Sequence, residues 1–578
     1  MPTANDAGSV LELQGVSFSY RNAEQPALDD VSLAVHQGEF VVILGPSGAG
    51  KSTLCYLSNG LIPHFLRGEL AGEAVVWGHN VRQRKTAQFA QDVGLVFQDF
   101  EAQLFSTNVE LEVAFGPENF ALPREEIRRR VADCLATVSL TGLEQREPAT
   151  LSGGQKQRLA IASVLSLHPR LIVMDEPTTD LDPIGKAGVF AIARDLQRRE
   201  EITLVLVEHE TEEVLQADRI VVLEQGKVIA EGPTPEILRR VEWLEEKGVM
   251  PLGAAVVGRR LGLDPVSLTE AEAGQAIIGA GYRLSPAHLE ALAAADAGRT
   301  ATYGDPVLEA SGLVHVYQGG VRALQGADLS IRRGEFVAVV GQNGSGKTTL
   351  VKHFNGLLRP TAGSLRVGGR DAAHLGVQEL GREVGYVFQN PDHQIFAETV
   401  FDEVAFGPRN YGIGMDEVTQ RVAEALAAVQ LEGKEKEDPF SLTKGERQRV
   451  AVASILAQRP QVIILDEPTT GLDYHQQRAM MELVRRLNAA GHTIIAVTHT
   501  MWVVAEYAHR MVVVRDGRIV MDGPTRQVMH READLVAASL KPPQVVRLGN
   551  RLLEAAGQST AGALLSPAEV LASLVREA

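Results

Sequence analysis

Cysteine is scarce in this sequence of 578 residues. Cys55 and Cys134 are its two cysteines, which is too few for a framework of disulfide bonds. A chain of this length can bury several hydrophobic cores, so it does not depend on such cross-links. The sequence therefore excludes a small disulfide-stapled domain and suits a reducing compartment such as the cytosol.

Long apolar runs are also missing. No stretch approaches the roughly 18 consecutive apolar residues of a membrane-spanning helix. The first ten residues, MPTANDAGSV, lack the basic start and the apolar core of a signal peptide. We therefore expect that any membrane role of this chain comes through a partner.

Basic residues are fewer than acidic residues. Lys and Arg together number 56, against 73 Asp and Glu, so the net charge is −17. Proteins that neutralise many nucleic-acid phosphates need a basic surface, so this class is disfavoured, although a local basic patch is still allowed. The apolar fraction of 45% and the charged fraction of 22% are ordinary for globular proteins, and the length predicts three to four domains.

What the sequence does contain is an internal repeat. GPSGAGKST at 45–53 recurs as GQNGSGKTT at 341–349, and LIVMDEPTTDLD at 171–182 recurs as VIILDEPTTGLD at 462–473. The distance along the chain between the two copies of a motif is far longer than the roughly 20–50 residues of a solenoid repeat. The chain is therefore a duplication of one domain. Two further segments recur in the same order: GLVFQDFEAQLF (94–105) as GYVFQNPDHQIF (385–396), and EVAFGPENF (112–120) as EVAFGPRNY (403–411).

Each repeat has the pattern of an α/β domain. Alternating apolar and polar residues at 10–20 and 307–317 are typical of half-buried antiparallel strands. Short apolar runs follow, FVVILG, LIVMD and TLVLV in repeat one and FVAVVG, VIILD and TIIAV in repeat two. Runs of this kind, separated by helical segments, are typical of strands buried on both faces, and they predict a parallel core.

The repeat also divides the chain into predicted segments. Repeat one covers 8–235 and repeat two covers 306–530. Residues 236–305 are predicted to form a helical appendix and linker, and residues 531–578 a C-terminal helical appendix. Since PLGAAVVGRRLG at 251–262 resembles PPQVVRLGNRLL at 542–553, each repeat is expected to end in a small helical appendix.

Both repeats carry a phosphate-binding loop. GPSGAGKS and GQNGSGKT fit the pattern G-x-x-x-x-G-K-[ST] between an apolar strand and a helical segment. Glycines let backbone N–H groups point at phosphate oxygens, and the helix N-terminus adds positive potential. The lysines are predicted to reach the β- and γ-phosphates of ATP, and Ser52 and Thr348 to bind Mg²⁺. The predicted loop residues are Gly45, Gly48, Gly50, Lys51, Ser52 and Thr53 in repeat one, and Gly341, Gly344, Gly346, Lys347, Thr348 and Thr349 in repeat two.

An acidic pair ends a second buried strand of each repeat. Asp175 and Asp466 are predicted to supply the carboxylate for Mg²⁺. Glu176 and Glu467 are predicted to be the bases that orient the attacking water. Four apolar residues precede each pair and PTT follows, a context that disfavours an ordinary solvated strand end.

These motifs, together with LSGGQ at 151–155, resemble the ATP-binding cassette (ABC) ATPases over both repeats. The resemblance implies two P-loop NTPase domains, each with a parallel-core sheet, an antiparallel β subdomain and a helical subdomain. It also implies that Tyr20 and Tyr317 stack on adenine. Gln98 and Gln389 correspond to the Q-loop glutamines, which sense Mg²⁺ and a transmembrane partner. The other implied site residues are the signature residues Ser152, Gly153, Gly154 and Gln155, the D-loop aspartates Asp182 and Asp473, and the switch histidines His209 and His499.

A narrower resemblance is carried by FQNPDHQIFAETVFDEVAFGPRNYG at 388–412. This segment is similar to the energy-coupling factor (ECF) ATPases of cobalt and vitamin uptake. The similarity implies a transmembrane coupling subunit, a substrate-binding membrane subunit and a place on the cytoplasmic face of the membrane. GLIPHF at 60–65 is similar to tandem forms assigned to thiamine or hydroxymethylpyrimidine uptake, but the substrate stays open. Asp99, Glu101 and Asp392 are expected to receive basic helices of the coupling subunit.

The two signatures are unequal. In the ABC family ATP lies between the phosphate loop of one domain and the signature of another, so the domains are expected to pair head to tail, within the chain or with a second copy. Repeat two has LTKGE at 442–446. Thr443 and Gly445 keep a hydroxyl and a glycine, whereas Lys444 and Glu446 replace glycine and glutamine. Lys444 either hinders backbone approach or helps to hold phosphate, and the sequence leaves both possibilities open.

This difference leads to a hypothesis of unequal sites. The site of Lys51, Glu176 and His209 would face the altered signature. The site of Lys347, Glu467 and His499 would face LSGGQ and hydrolyse ATP faster. Full activity at both sites is the alternative.

Three alternative functions are compatible with parts of the sequence. A tandem sugar-importer ATPase is disfavoured by the VAFGP segments. A soluble tandem ABC ATPase acting on the ribosome or DNA is disfavoured because 233–305 is rich in Ala and Gly rather than basic, and because two cysteines cannot build zinc modules. A scaffold that binds ATP but barely hydrolyses it is disfavoured because both glutamates and both histidines are present.

Overall fold

The computed structural model of the chain describes residues 8–179, 181–200, 202–558 and 562–576. The chain divides into two compact units between Ala255 and Val256. Each unit contains one repeat, and each is described by itself. Residues 180 and 201 of predicted repeat one, and residues 559–561 and 577–578 of the predicted C-terminal appendix, lie outside the described residues.

Unit one alternates strands and helices along the chain. Its strands are β1 (Ser9–Tyr20), β2 (Leu28–His36), β3 (Phe40–Leu44), β4 (Gly68–Val76), β5 (His79–Asn80), β6 (Val93–Val96), β7 (Leu171–Asp175), β8 (Thr203–Val207), β9 (Arg219–Glu224) and β10 (Lys227–Pro233). Its helices are α1 (Lys51–Ser58), α2 (Leu61–His64), α3 (Thr86–Phe89), α4 (Val109–Asn119), α5 (Arg124–Thr137), α6 (Gly153–Leu165), α7 (Pro183–Glu200), α8 (Thr234–Leu238) and α9 (Val241–Glu246), while α10 (Gly253–Arg260) crosses the boundary.

Two sheets organise unit one. The smaller is antiparallel with the order β2-β1-β4-β5, and the larger has the order β10-β9-β3-β8-β7-β6. In the larger sheet β9, β3, β8, β7 and β6 run parallel, and β10 is antiparallel to β9. Strands β3, β7 and β8 are buried along their whole length, which explains their continuous apolar sequences. The predicted parallel core and antiparallel strands are confirmed.

The parallel strands bring distant motifs to one edge of the sheet. β3 leads into the phosphate loop, β7 ends at Asp175, and β8 and β6 end two residues before His209 and Gln98. Because these strands are parallel, their carboxyl ends lie at the same edge, where α/β proteins bind ligands. The sheet order places β8 between β3 and β7, so the switch histidine follows the strand between the phosphate loop and the acidic pair.

Unit two repeats this plan with additional elements at both ends. Its strands are β11 (Tyr282–Leu284), β12 (Pro306–Val316), β13 (Arg322–Arg332), β14 (Phe336–Val340), β15 (Ala362–Val367), β16 (Arg370–Asp371), β17 (Val384–Val387), β18 (Val462–Asp466), β19 (Thr493–Val497), β20 (Arg510–Arg515), β21 (Arg518–Pro524) and β22 (Leu574–Arg576). Its helices are α11 (Glu270–Gly279), α12 (Pro286–Ala301), α13 (Lys347–Phe354), α14 (Val377–Glu383), α15 (Val400–Asn410), α16 (Met415–Ala428), α17 (Lys444–Leu456), α18 (Tyr474–Ala489), α19 (Met501–Tyr507), α20 (Thr525–His530), α21 (Glu532–Ala537), α22 (Gln544–Ala555) and α23 (Pro567–Ser573).

The sheets of unit two match those of unit one. The antiparallel sheet has the order β13-β12-β15-β16, and the mixed sheet has the order β17-β18-β19-β14-β20-β21. Helices α15, α16 and α17 pack against one another, as α4, α5 and α6 do in unit one, and form a helical subdomain. The duplicated α/β architecture predicted from the sequence is therefore confirmed.

The segment before repeat two packs with the C-terminal segment. β11 pairs antiparallel with β22, with Leu284 opposite Leu574. Helix α11 packs against α22, and the Gln544 side chain donates to the Leu268 carbonyl oxygen at 2.8 Å. The sequence treats 236–305 and 531–578 as separate appendices, whereas residues from both complete one small α/β layer in unit two. The boundaries proposed at 235, 305 and 530 remain predictions.

Arg526 is the ionic centre of this layer. Its side chain is 7% exposed and donates to Asp296 at 2.9 Å and to Glu569 at 2.7 Å. It also donates to the carbonyl oxygen of Ala563 at 2.6 Å. Asp296 lies on α12 and Glu569 on α23, so one guanidinium on α20 ties together both segments that flank repeat two.

We expect Arg526→Ala to destabilise unit two. The substitution leaves the partly buried Glu569 without its cation and Asp296 with only a 3.4 Å contact to Arg299, so we expect the free energy of unfolding to fall by about 2–4 kcal/mol. Urea unfolding of the full chain, with Trp77 and Trp243 replaced by Phe, isolates the fluorescence of Trp502 in unit two.

The matched control is Arg531→Ala. Arg531 pairs with Asp534 on the surface, where both side chains are 53% exposed, so its loss should change the free energy by less than about 0.5 kcal/mol. Equal effects of the two substitutions would contradict the structural role given to Arg526.

Candidate functional site

Close backbone packing explains the first glycine of each phosphate loop. Gly45 and Gly341 have φ angles of 147° and 151°. A Cβ atom on Gly45 would lie 2.1 Å from the carbonyl oxygen of Leu223, and one on Gly341 would lie 2.1 Å from that of Val514. Any side chain would therefore push the loop away from the neighbouring strand. The four other predicted loop glycines, Gly48, Gly50, Gly344 and Gly346, also have positive φ angles.

The predicted phosphate-binding lysines lie buried inside these loops. The Lys51 ammonium donates to the carbonyl oxygens of Gly45 and Pro46, both at 2.9 Å. Lys347 donates in the same way to Gly341 at 2.9 Å and to Gln342 at 3.0 Å. Each lysine begins a helix, α1 or α13, so its charge and the helix N-terminus add to one positive region suited to phosphate.

The two predicted adenine-stacking tyrosines lie next to the phosphate loops. The Tyr20 hydroxyl is 3.1 Å from the Thr53 hydroxyl, and the Tyr317 hydroxyl is 3.0 Å from that of Thr349. Tyr317 keeps 41% of its surface exposed, so its ring is available to a flat ligand. The stacking role of both tyrosines remains a prediction.

The two predicted metal-binding carboxylates are buried at the ends of β7 and β18. Burial raises the pKa of Asp175 to about 6, against the opposing influence of the Ser52 hydroxyl. Neither carboxylate oxygen of Asp175 makes an ordinary hydrogen bond. Burial also raises the pKa of Asp466, whose Oδ1 accepts a hydrogen bond from Thr348 at 3.4 Å. Each aspartate thus lies beside the hydroxyl with which it is predicted to share Mg²⁺.

In repeat one the glutamate after Asp175, Glu176, has a lowered pKa, whereas that of Asp175 is raised. Glu176 Oε1 lies 2.7 Å from His209 Nε2, and Oε2 accepts from Gln98 at 2.8 Å. Burial alone would raise the pKa of Glu176, but His209 and the charge of Lys51 hold it at about 2. The side chain is therefore an ionised base at neutral pH. Its backbone is left-handed, with φ at 46°, a strained conformation typical of functional sites.

Repeat two builds the same pair with a different ring orientation. His499 faces Glu467 Oε1 through Nδ1, at 2.9 Å, rather than through Nε2. Burial again opposes ionisation, yet the charge of His499 lowers the pKa of Glu467 below its usual value. Glu467 is also left-handed, with φ at 49°. Gln389 follows β17 as Gln98 follows β6, and its side chain is exposed.

The signature residues form the first turn of a helix. Ser152 caps α6: its Oγ accepts from the Gln155 N–H at 3.3 Å, while Gln155 Oε1 accepts from the Ser152 N–H at 2.9 Å. Gly153 and Gly154 complete this turn. The turn lies on the helical subdomain rather than at the edge of the parallel sheet.

The altered signature of repeat two differs from LSGGQ in which of its groups donate and accept hydrogen bonds. Thr443 caps α17, and its hydroxyl donates to Glu446 Oε2 at 2.8 Å. The Lys434 ammonium, 2.9 Å from Glu446, helps to lower the pKa of that carboxyl to about 2. A glutamine amide can donate a hydrogen bond to phosphate, whereas an ionised carboxylate only accepts and repels phosphate. Gly445 lies in the same turn.

Lys444 folds onto the D-loop of its own repeat. A Cβ atom at Gly471 would lie 2.1 Å from Lys444 Nζ, so the glycine makes room for the ammonium. The D-loop aspartates cap the helices that follow them: Asp182 accepts from the Gly185 N–H at 2.8 Å and Asp473 from the Gln476 N–H at 2.9 Å. Helix capping is a role that the sequence analysis did not assign to them.

Glu208, a buried carboxylate beside the switch histidine, was not predicted from the sequence. Thr178 donates to its Oε1, and the His209 N–H donates to its Oε2 at 3.1 Å. Repeat two has Thr498 at this position, and there the Thr469 hydroxyl is buried without a hydrogen-bond partner. The contrast between VEHE and VTHT was the available signal, but a strand-end glutamate is ordinarily solvated.

The titration of Glu208 gives a prediction on stability. Burial raises the pKa of Glu208 from 4.5 to about 7, so the folded protein holds this proton more tightly than the unfolded chain. Its contribution to the free energy of unfolding therefore falls as the pH rises from about 4.5 to about 7. Glu208→Gln removes this dependence. The difference between the melting temperature of the variant and that of wild type should therefore be about 3–6 °C more positive at pH 8 than at pH 5.5.

Thermal unfolding of a Trp502→Phe chain provides the measurement, because Trp77 and Trp243 then report on unit one. The control is Glu118→Gln, at an exposed carboxylate on α4 that does not contribute to the raised pKa of Glu208. Its effect should be similar at both pH values. A pH-independent effect of Glu208→Gln would contradict the shifted pKa.

The oxygen-bearing side chains at each site suit Mg²⁺ only when phosphates of a bound nucleotide supply further ligands. The described residues hold no group of three His, Cys, Asp or Glu side chains arranged for a metal ion. Magnesium commonly binds one or two carboxylates plus substrate phosphates and water, which fits Asp175 with Ser52 and Asp466 with Thr348. Within the described ranges, no helix has both the length and the apolar character needed to cross a membrane.

Comparison with known proteins agrees with this geometry. The ABC transporter family matches residues 28–179 and 324–470. A protein of Caldanaerobacter subterraneus subsp. tengcongensis, named as an ABC transporter ATP-binding protein, is 55% identical over 544 residues, which cover 93% of this chain and 96% of that protein. A protein of Methanosarcina acetivorans with the same description is 39% identical, covering 95% of this chain and 91% of its own length.

Among solved structures, this chain is similar to cbiO1 from Clostridium perfringens, described as part of the ABC transporter complex cbiONQ. The sequence identity is 34% over an alignment that covers 43% of this chain. The alignment covers 99% of the cbiO1 chain, with a TM-score of 0.38. The family match spans the phosphate loop and the acidic pair of both repeats, and the curated relatives cover nearly the whole chain. The chain therefore belongs to the ABC transporter family and is an ATPase with two ATP-binding cassettes.

Proposed function

We propose that this chain is the ATP-hydrolysing subunit of an ECF-type importer. The observation that carries the proposal is the exposed segment after each Q-loop glutamine, which keeps the residues of the ECF resemblance and presents an aromatic pair at its surface. The transported substrate would be a vitamin or a metal micronutrient. Since the ATPase does not contact that substrate, its identity has to be found through the membrane partners.

The chemistry proposed for each repeat follows from the groups at the sheet edge. Lys51 and Lys347 hold the β- and γ-phosphates, while Glu176 and Glu467 orient the attacking water. The switch histidine keeps its glutamate ionised and in place. Mg²⁺, held by Ser52 and Asp175 or by Thr348 and Asp466, would neutralise charge that develops on the phosphates.

The proposed cycle couples ATP to motion. Each ATP joins the phosphate loop of one repeat to the signature of another, within the chain or in a second copy, and so favours a closed state. Hydrolysis and loss of phosphate remove these contacts and favour reopening. Gln98 contacts the base Glu176 directly, so it is suited to relay the state of the site to the segment that follows it.

Aromatic pairs are the proposed docking surface for the membrane partner. Phe105 and Phe115 are 62% and 45% exposed, and their rings meet edge to face at 4.6 Å. Phe396 and Phe406 form the equivalent pair in repeat two, at 4.7 Å, and are 60% and 47% exposed. Exposed apolar patches of this kind mark interaction sites, and we assign these to the coupling helices of the transmembrane subunit.

The acidic residues of the same segments are already paired within the chain. Glu101 accepts from Lys156 at 2.9 Å and Asp392 from Arg447 at 2.7 Å. Asp99 accepts from the Ala102 N–H at 3.1 Å, within its own turn. The expectation that these carboxylates receive basic coupling helices remains a prediction, and we propose the aromatic pairs as the main docking surface because their rings need no existing ion pair to be broken.

Replacing the aromatic pairs should weaken the complex without impairing the isolated ATPase. We expect Phe105→Ala with Phe396→Ala to lower the affinity for the coupling subunit by at least about tenfold, as expected when aromatic anchors are lost from an interface. Co-purification and titration in detergent measure this affinity. Val536→Ala, at a residue that is 53% exposed on α21, is the control. An unchanged affinity of the double variant would contradict the proposed docking surface.

A broader experiment tests the importer itself. The chain should co-purify from membranes with a coupling subunit and a small substrate-binding membrane protein, and vesicles holding this complex should accumulate a labelled vitamin or metal ion only with ATP. Stable association with ribosomes or DNA and no membrane partner would overturn the proposal.

We further propose that the two ATP sites turn over at different rates. The structural support is the altered signature, in which the Thr443 proton is donated to Glu446 and a carboxylate stands where Gln155 offers an amide. An ATP facing this signature would lose hydrogen bonds and gain repulsion. The site of Lys51 and Glu176 would therefore be the slower one.

Single replacements of the two bases test this asymmetry. Glu467→Gln should lower the steady-state ATPase rate by at least about tenfold, since it removes the base of the faster site and leaves the slower one, whereas Glu176→Gln should lower it by less than about twofold. Phosphate release by the purified chain or complex gives both rates. Equal losses would contradict the unequal sites.

A further inference from the structure

The two predicted magnesium carboxylates differ in their hydrogen bonds. Asp466 Oδ2 accepts a hydrogen bond from the Tyr386 phenol at 2.5 Å, while Oδ1 accepts from Thr348 at 3.4 Å. Asp175 is also buried, but apart from the influence of the Ser52 hydroxyl neither of its oxygens has a hydrogen-bond partner of ordinary geometry. The orientation of the carboxylate is thus fixed from two sides in repeat two and is less constrained in repeat one.

A single residue difference explains this contrast, and it lies on the strand that pairs with the aspartate-bearing strand in each repeat. Tyr386 lies on β17, where it is paired in register with Ile464 of β18, two residues before Asp466. The same register position in repeat one is Leu95, paired with Val173, two residues before Asp175. Both side chains are buried, but leucine has no donor to offer.

The phenol is suited to act as a permanent donor. A phenol keeps its proton at neutral pH, and the Tyr386 hydroxyl donates that proton to Asp466 Oδ2. A hydrogen bond to an ionised carboxylate is stronger than one between neutral groups, and it leaves the second oxygen turned toward Thr348. Partners of this kind orient metal ligands, and their loss typically costs about 10–100-fold in metal affinity.

We propose that Tyr386 is a positioning residue for magnesium in repeat two, with no counterpart in repeat one. It holds Asp466 in the orientation that binds the ion beside Thr348, so nucleotide bound to repeat two recruits Mg²⁺ at a lower concentration than nucleotide bound to repeat one. This inference rests on the proposed magnesium role of Asp466.

Magnesium-dependent nucleotide binding tests the role of Tyr386. In full-length chains carrying Lys51→Ala and Glu467→Gln, a fluorescent ATP analogue reports on repeat two without turnover. Its affinity is measured in EDTA and over a series of Mg²⁺ concentrations. We expect Tyr386→Phe to raise the half-saturating Mg²⁺ concentration by about tenfold while the affinity in EDTA stays within about twofold.

Each other outcome has a defined meaning. An unchanged half-saturating Mg²⁺ concentration, or an equal loss of affinity with and without Mg²⁺, would overturn the inference, since the second result indicates a merely structural role. If nucleotide affinity of the parent chain does not respond to Mg²⁺ at all, the proposed metal role of Asp466 fails as well. These results separate failure of this inference from failure of the proposed site.

The reciprocal substitution is an independent test. In chains carrying Lys347→Ala and Glu176→Gln, Leu95→Tyr introduces a phenol beside Asp175 and should lower the half-saturating Mg²⁺ concentration of repeat one. Leu95→Phe is the matched control, because it adds the ring without the hydroxyl. Equal effects of the two substitutions would show that ring volume, rather than a hydrogen bond, is responsible and would overturn the inference.

Discussion

Two acidic side chains at the end of a buried parallel strand impose the main constraint on each unit. Adjacent carboxylates cannot both be buried and ionised without compensation. In repeat one the pKa of Asp175 is raised to about 6 while that of Glu176 is held at about 2. The phosphate-loop lysine, the switch histidine and the Q-loop glutamine converge on this pair, and the parallel sheet is what brings these three groups to one edge.

Much of this could be predicted from the sequence, because the responsible signals are local. Apolar runs such as LIVMD report burial on both faces, and the glycine pattern around Lys51 reports a loop in which Gly45 and Gly50 have no room for a Cβ atom. Other features depend on tertiary packing. The pairing of β11 with β22, the ion cluster around Arg526 and the burial of Glu208 join residues whose neighbours are set by the fold, so no local pattern revealed them.

The duplicated sites have diverged while keeping one architecture. Both carry the lysine, the acidic pair and the histidine, yet their surroundings differ at Leu95 against Tyr386 and at Glu208 against Thr498. The signatures differ as well, with Gln155 in one repeat and Glu446 in the other. Each difference changes hydrogen bonding or charge near a phosphate or a metal ligand. Sites that share the lysine, the acidic pair and the histidine are therefore expected to be unequal in chemistry.

Single-turnover hydrolysis tests the inequality of the two sites most directly. The purified chain, in complex with its membrane partner where closure requires it, is loaded with labelled ATP at both sites and followed by rapid quenching after unlabelled ATP is added. Unequal sites predict two phases of equal amplitude, each accounting for one ATP per pair of repeats, with rates at least about tenfold apart. A single phase that consumes both bound ATP molecules at one rate would contradict them.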